Sequence, residues 1–270
     1  MANTIYNKPT RALLKDMLEE WKLAPGEIFA ASRAIEWFLK NFPKLKAGSI
    51  YAHLVQASTN DPSRLHHPTT NSTDDLLVKV GARAYRLYEF GIDPAPIHLV
   101  SKIHLTGANG TFVTLGGEDE GDDEVEAVDA ALAGSTQFAL ENDLQRYLAD
   151  NLEIIEPGLT LFLDEEITGR EYPAGGGRRI DILAKDKAGD FVVLELKVKR
   201  GYDRVVGQLL RYVNWVRKEL AEPGQRVRGI IVCRMMSEDL ILACSSIDDI
   251  ELFEYKLQVT VSKVPSMKLL

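Results

Sequence analysis

The sequence predicts two units of different fold class. Residues 1–95 read as a mainly α domain, and residues 135–270 as an α/β domain with a mixed sheet flanked by helices. Helical periodicity dominates the first unit, whereas short apolar strands alternate with helical segments in the second. Between them lies the acidic stretch Glu118–Asp129, with eight acids and no bases. We therefore assign residues 96–134 to a hairpin and an acidic linker.

Three helices followed by a two-stranded hairpin are predicted for the first unit. The helices are assigned to residues 10–23, 26–41 and 50–57, with Ser49 as the cap of the third, and the strands to residues 76–80 and 84–88. This order of elements resembles a winged-helix domain. The resemblance implies that the third helix enters the major groove of DNA while the wing contacts the backbone.

Polar and basic side chains near the third helix and on the wing are the predicted DNA contacts of this domain. They are Lys44, Lys46, Ser49, Tyr51, His53, Gln56, Arg64, His66, His67, Arg83 and Arg86. Basic groups would neutralise phosphates, and hydroxyl or amide groups would read base edges. Winged helices also serve in protein interaction or dimerisation, so that alternative stays open.

The α/β domain begins with a helix over residues 136–148. Glu141 shares the apolar stripe of this helix with Leu144 and Leu148, at helical spacing. This position predicts a carboxylate that faces the interior of the domain. A partly exposed glutamate at the edge of the stripe is the alternative.

Two carboxylates and an ammonium group are predicted to meet on the hairpin that follows. Asp181 opens an apolar strand, a turn at residues 186–190 reverses the chain, and Glu195 and Lys197 lie on the returning strand. Because side chains alternate along a strand, Glu195 and Lys197 share one face. Such charges are costly in an apolar strand, and a divalent cation with oxygen ligands would compensate them. The alternative is a solvated surface hairpin.

A second helix, residues 203–220, follows the hairpin and places Gln208 and Tyr212 one turn apart beside its apolar stripe. Ordinary positions at the edge of the core are the alternative for both residues. The domain is predicted to close with a strand at 227–233, a Ser-capped helix at 237–245 and a strand at 250–261.

The ordered set of Glu141, Asp181, Glu195-x-Lys197 and Gln208 resembles the PD-(D/E)xK nuclease superfamily. Ile180 stands where the name of that superfamily has proline. Over roughly residues 135 to 262, the chain is similar to the RecB-like C-terminal domain of the NucS/EndoMS mismatch endonucleases. This resemblance implies a restriction-endonuclease-like fold and a homodimer that cuts both DNA strands.

The resemblance also implies roles for individual residues. Asp181, Glu195 and the backbone carbonyl of Leu196 would ligate Mg²⁺, with Mn²⁺ as a possible substitute. Lys197 would position the attacking water and offset charge at the phosphate. Glu141 and Gln208 would complete the catalytic set. The candidate DNA contacts of this domain are Arg178 and Arg179, which follow the Gly175–Gly177 run, and Tyr212.

These roles predict a Mg²⁺-dependent endonuclease that hydrolyses phosphodiester bonds, mainly of double-stranded DNA, in repair or defence. Two alternatives stay open: a restriction-type nuclease specific for a sequence or modification, and an inactive DNA-binding or regulatory protein of the same fold. The net charge of −8 argues against a nonspecific polyanion binder. Two cysteines in apolar runs and the lack of an evident signal or membrane segment predict a cytoplasmic protein with reduced thiols.

Overall fold

The computed structural model describes residues 5–66, 72–97, 141–197 and 203–257. The predicted acidic linker lies outside these residues, as do residues 98–117 of the predicted hairpin beside it. Among the described helices, none has the length and apolar character needed to cross a membrane.

Three helices and a three-stranded antiparallel sheet form the N-terminal domain. In chain order they are α1 (Thr10–Trp21), β1 (Phe29–Ala30), α2 (Ala31–Asn41), α3 (Ala47–Gln56), β2 (Leu77–Gly81) and β3 (Ala84–Leu87). The strand order is β1-β3-β2. Helix, helix, helix and hairpin follow each other as in the winged-helix-like domain that the sequence predicted.

Two boundaries in this domain differ from the prediction. The segment before α2 is a short strand rather than helix, because Phe29 pairs with Tyr85 and their rings pack at a centroid distance of 6.0 Å. A two-residue strand is too short to show periodicity in the sequence. Ser49 does not cap α3: the helix begins earlier, at Ala47, with Lys46 as its N-cap residue and no side-chain cap.

The α/β domain is built on a six-stranded mixed sheet. Its elements are α4 (residues 141–150), β4 (Thr160–Leu161), β5 (Leu163–Asp164), β6 (Ile167–Thr168), β7 (Arg170–Pro173), β8 (Arg179–Lys185), β9 (Phe191–Lys197), α5 (Asp203–Glu219), β10 (Val227–Cys233), α6 (Glu238–Cys244) and β11 (Ile250–Glu254). The strand order is β11-β10-β9-β8-β4, and β7 also pairs with β8. Strands β9, β10 and β11 are parallel, whereas β8 is antiparallel to its neighbours.

Helices α4 and α5 cover opposite faces of this sheet. Val193 of β9 packs with Val205 and Leu209 of α5, whereas Leu194 packs with Leu144 of α4. Burying such a side chain contributes about 1.5–3 kcal/mol, so both helices are held mainly by apolar contact. The alternation along β9 places Glu195 and Lys197 on the side of α5. In this way the hydrophobic pattern decides where the charged groups lie.

The order of the later elements is as predicted, but the last strand, β11, ends at Glu254, whereas the prediction extended it to residue 261. Ser237 caps α6 by accepting a hydrogen bond from Leu240 N at 3.1 Å. Cys233 and Cys244 are free and buried. Four short strands, β4 to β7, precede the hairpin, more than the sequence predicted, because each is too short to give a periodic pattern.

Helix α3 is buried between the two domains. Ala52 packs into the core of the α/β domain, and a Cβ on Gly48 would lie 2.8 Å from Leu220 Cδ2. Polar contacts surround this interface: Thr10 N donates to Glu165 Oε2 at 2.8 Å, and the predicted DNA contact Lys46 pairs with Glu222 at 2.8 Å. The third helix is therefore not free to enter a DNA groove in this arrangement, contrary to the expectation.

Candidate metal centre

Strands β8 and β9 bring Asp181, Glu195 and Lys197 together. The neighbouring residues Ile182 and Leu194 pair across the two antiparallel strands, which sets Asp181 beside Glu195. Asp181 Oδ2 accepts a hydrogen bond from the backbone N–H of Leu196 at 2.7 Å. Lys197 Nζ lies 3.1 Å from Glu195 Oε1. One hairpin thus holds two carboxylates and a single ammonium group within contact distance.

Burial dominates the electrostatics of the two carboxylates. Glu195 is fully buried; its Oε1 pairs with Lys197, whereas its Oε2 accepts no hydrogen bond from any residue that the structure describes. Desolvation raises the pKa of Glu195 to about 7, although the ammonium of Lys197 opposes this change. Burial, followed by the charge of Glu195, raises the pKa of Asp181 well above its usual range. The site therefore needs additional positive charge to keep both carboxylates ionised.

Two further glutamates surround this pair. The charge of Glu141, on α4, is one of the lesser causes that raise the pKa of Glu195. Glu171, on β7, raises the pKa of both Asp181 and Glu195. Glu171 was not predicted, because its short strand carries no periodic signal. In the sequence, only the glycines on either side of this strand, Gly169 and Gly175, mark the segment.

The residues present fit a small divalent cation. The carboxylate of buried Glu195, whose Oε2 has no hydrogen-bond partner among the described residues, and that of Asp181 form the hard oxygen donor set that Mg²⁺ and Mn²⁺ prefer. Within the described ranges, no three His, Cys, Asp or Glu side chains converge so as to hold a metal by themselves. A Mg²⁺ site of this kind uses one or two carboxylates and completes its shell with water and substrate phosphate.

Gln208 and Tyr212 on α5 reach the same centre. The two side chains share a hydrogen bond, and Tyr212 is buried. Burial, followed by the charge of Glu195, raises the pKa of Tyr212 to about 12. Only 4 % of Tyr212 is exposed, so its ring packs beneath the carboxylates in this arrangement and offers little surface to DNA.

The two arginines that follow the glycine run before β8 differ in exposure and in their partners. Gly175, Gly176 and Gly177 all adopt positive φ angles, which side chains rarely allow. Arg178 is exposed at the end of this run. Arg179 is half-buried between two carboxylates, 3.9 Å from Asp61 Oδ1 and 3.8 Å from Glu171 Oε2. Only Arg178 therefore keeps an uncompensated guanidinium at the surface of this loop.

Most predicted DNA contacts of the N-terminal domain are not accessible. Ser49, Tyr51, Gln56 and Arg64 are each at most 5 % exposed, and a side chain without exposed surface cannot contact DNA. His53 is also buried, and burial lowers its pKa. In this arrangement these side chains lie inside the protein: Tyr51 packs in the core of its own domain, and Arg64 pairs with Asp75 at 2.7 Å.

Two of the predicted basic DNA contacts of this domain are exposed. Lys44 and Arg83 are exposed, and the Arg83 guanidinium lies over the Tyr51 ring at 5.3 Å. Arg86 instead forms a two-pronged ion pair with Asp93. The side chain of His66 and the whole of His67 lie outside the described part of the chain.

Comparison with known proteins agrees with the geometry of the second half. Residues 140–250 match the family described as the endonuclease NucS C-terminal domain, and residues 9–87 match a domain of unknown function, DUF7669. Endonuclease NucS of Methanopyrus kandleri is 36% identical over 101 residues, covering 37% of this chain and 35% of that protein. Endonuclease NucS of Frankia alni is 36% identical over 126 residues, covering 44% and 53%.

A solved structure of a repair endonuclease from Pyrococcus abyssi aligns with half of each chain at 26% identity and a TM-score of 0.34. The chain spans about a third to a half of the length of the curated relatives it matches. The C-terminal part of this chain is thus similar to the C-terminal domain of endonuclease NucS, which confirms the resemblance that its motifs predicted.

Proposed function

We propose that the protein is a metal-dependent endonuclease that hydrolyses DNA phosphodiester bonds in DNA repair. The observation that carries this proposal is the fully buried Glu195 carboxylate beside Asp181: its Oε1 pairs with Lys197, and its Oε2 has no hydrogen-bond partner among the described residues. It lies in the domain similar to the C-terminal domain of endonuclease NucS. An uncompensated buried carboxylate costs stability, and cation binding offsets that cost.

Each group of the centre has a distinct task in this proposal. Asp181, Glu195 and the Leu196 carbonyl would hold Mg²⁺ or Mn²⁺, which supplies Lewis acidity and a water of lowered pKa when bound. The water oxygen forms a bond to phosphorus while the ester P–O bond breaks, leaving a phosphate monoester and a hydroxyl. Lys197, fixed by Glu195 at 3.1 Å, places positive charge where the phosphate gains negative charge.

Double-stranded DNA is the proposed substrate, and a homodimer the proposed assembly for cutting both strands. Arg178 is the candidate phosphate contact on the nuclease domain, since it is exposed and forms no ion pair with another described residue. Lys44 and Arg83 are the candidates on the N-terminal domain, because both are exposed. Guanidinium and ammonium groups bind phosphate at modest cost when they are already solvated.

The proposal predicts that removal of either carboxylate stops cleavage without unfolding the protein. Asp181→Ala and Glu195→Ala should abolish calorimetric Mn²⁺ binding and lower cleavage of duplex DNA at least ~10²-fold.

Lys197→Met should lower single-turnover cleavage by a similar ~10²-fold but leave DNA affinity in Ca²⁺ nearly unchanged, because its charge acts in the transition state.

Glu153→Ala is the matched control, since Glu153 is an exposed carboxylate on a short turn after α4. It should retain metal affinity and activity. Wild-type metal affinity and cleavage in both the Asp181 and Glu195 variants would overturn the proposed function.

A further inference from the structure

Glu171 is a strained residue at the edge of the metal centre. Its φ angle of +52° lies in the left-handed region, which glycine enters freely and other residues enter at a cost. The flanking residues Arg170 and Tyr172 pair with Ile182 and Ile180 across β7 and β8, so Glu171 lies opposite Asp181. Strain of this kind persists only where surrounding contacts enforce it, and such outliers occur often at functional sites.

The carboxylate of Glu171 is held by one buried amide. Gln145 Nε2, on α4, donates to Glu171 Oε1 at 2.5 Å. The same amide nitrogen donates a second hydrogen bond to the backbone carbonyl oxygen of Asp181 at 3.2 Å. Gln145 is only 4 % exposed. The amide therefore joins the strained carboxylate to the backbone of the residue that the proposed function assigns as a metal ligand.

The side chain of Asp181 is held by the neighbouring strand β9. Its Oδ2 accepts from Leu196 N at 2.7 Å, which ties it to β9. Gln145 holds the backbone of the same residue to α4 and β7. With both attachments in place, Asp181 has little freedom to turn away from Glu195. Loss of Gln145 would remove the contact between α4 and the Asp181 backbone, and the pairing with β7 and β9 alone would then position it.

The N-terminal domain supports the same carboxylate. Arg179 lies 3.8 Å from Glu171 Oε2 and 3.9 Å from Asp61 Oδ1. Asp61 is buried in the N-terminal domain, where Lys79 Nζ contacts its other oxygen at 2.7 Å. A continuous series of polar contacts therefore runs from β2 to Gln145. Charged partners make such contacts stronger than neutral ones.

We propose that Glu171 is a positioning residue of the metal centre: through Gln145 it fixes the backbone at Asp181, and thereby sets metal affinity. This inference rests on the proposed function for the identity of the reaction. Glu171 does not act as a ligand in it, because its two oxygens face Gln145 and Arg179 rather than Glu195.

Glu171→Gly separates this role from a merely structural one. Glycine relieves the backbone strain, so the melting temperature should stay within about 5 °C of that of the wild type. Mn²⁺ affinity, measured by calorimetry on the full chain, should nevertheless fall at least ~10-fold, as is typical when a partner of a metal ligand is removed. Glu171→Gln, which keeps an oxygen acceptor for Gln145, should recover most of that affinity.

Lys22→Gly is the matched control for strain release. Lys22 is exposed at the end of α1 with φ of +46°, and its replacement should leave Mn²⁺ affinity unchanged. Gln145→Met should reproduce the loss seen in Glu171→Gly. The double variant should lose no more than the larger single loss, because both residues act through one contact.

Several results would overturn the inference. Wild-type Mn²⁺ affinity in Glu171→Gly, or losses that simply add in the double variant, would show that Glu171 does not act through Gln145. The calorimetric readout is independent of turnover. A wild-type protein that binds Mn²⁺ but cleaves no DNA would contradict the proposed function alone, whereas failure of the Glu171 variants to change affinity would contradict only this inference.

Discussion

At Glu195, burial favours the protonated acid, whereas the proposed metal requires the carboxylate. Its side chain is fully buried, and its pKa of about 7 lies above the ordinary value of 4.5. A raised pKa means that the folded protein binds the proton more tightly than the unfolded chain does. The contribution of Glu195 to stability is therefore complete below about pH 4.5 and is lost as pH rises through about 7.

We expect Glu195→Gln to stabilise the metal-free protein at pH 8. Glutamine cannot ionise, so the loss of stability between about pH 4.5 and 7 should become smaller. The full pKa difference corresponds to roughly 3 kcal/mol, which is an upper bound because Asp181 titrates in the same site. Urea denaturation across pH 4 to 8 would measure this effect, and an unchanged pH dependence would contradict it.

Within a helix, the effect of replacing glycine by alanine on stability depends on how closely that position packs against a neighbouring element. Two helical glycines illustrate this. Gly48 of α3 meets Leu220 and Trp215, with a Cβ at 2.8 Å and 3.0 Å from their nearest atoms. Gly207 of α5 has open space, with nothing within 4 Å of its Cβ. Both residues lie in helices, so the intrinsic gain from alanine is the same at the two positions.

Alanine should therefore have opposite effects at these two positions. Gly207→Ala is expected to raise the free energy of unfolding by up to about 1 kcal/mol, the intrinsic helix preference. Gly48→Ala should lower it by about 1–3 kcal/mol, because the added methyl group forces the domain interface apart. Urea denaturation of the two variants provides the measurement. Equal stabilisation at both positions would show that α3 does not pack against α5 in solution.

The two domains meet at an interface in which the third helix of the N-terminal domain is buried. All residues from Gly48 to Gln56 are buried, and the interface also buries His53 at 3.8 Å from Glu165. Thr10 Oγ1 donates to Glu165 as well, at 3.1 Å. A domain separated from this surface would expose the apolar face around Ala52 and would lose these polar partners.

The full chain should consequently unfold as one cooperative unit. Scanning calorimetry is expected to show one transition, and the fragment from Ser135 onward should melt at a lower temperature, because its face toward α3 becomes exposed. Two separate transitions in the full chain, with the second at the temperature of the fragment, would show that the domains are energetically independent.

The sequence by itself determined the hairpin and what it carries. Alternation along β9 fixed the shared side of Glu195 and Lys197, because a strand has a period of two residues whatever surrounds it. Local capping chemistry likewise placed Ser237 at the start of α6. The similarity to the NucS C-terminal domain followed from these local patterns and from Gln208 in the next helix.

Only the tertiary structure decided the accessibility of α3 and the contribution of Glu171. Tyr51 and Gln56 have the chemistry of DNA contacts, yet both are buried, and Tyr51 packs in the core formed by α1, α2 and the hairpin. Glu171 reaches the metal centre through a strained backbone and through Gln145, which lies 26 positions earlier in the chain. Hydrophobic periodicity reports which side of an element is buried by its own neighbours. It contains no information about contacts between distant segments, which packing and electrostatics set together.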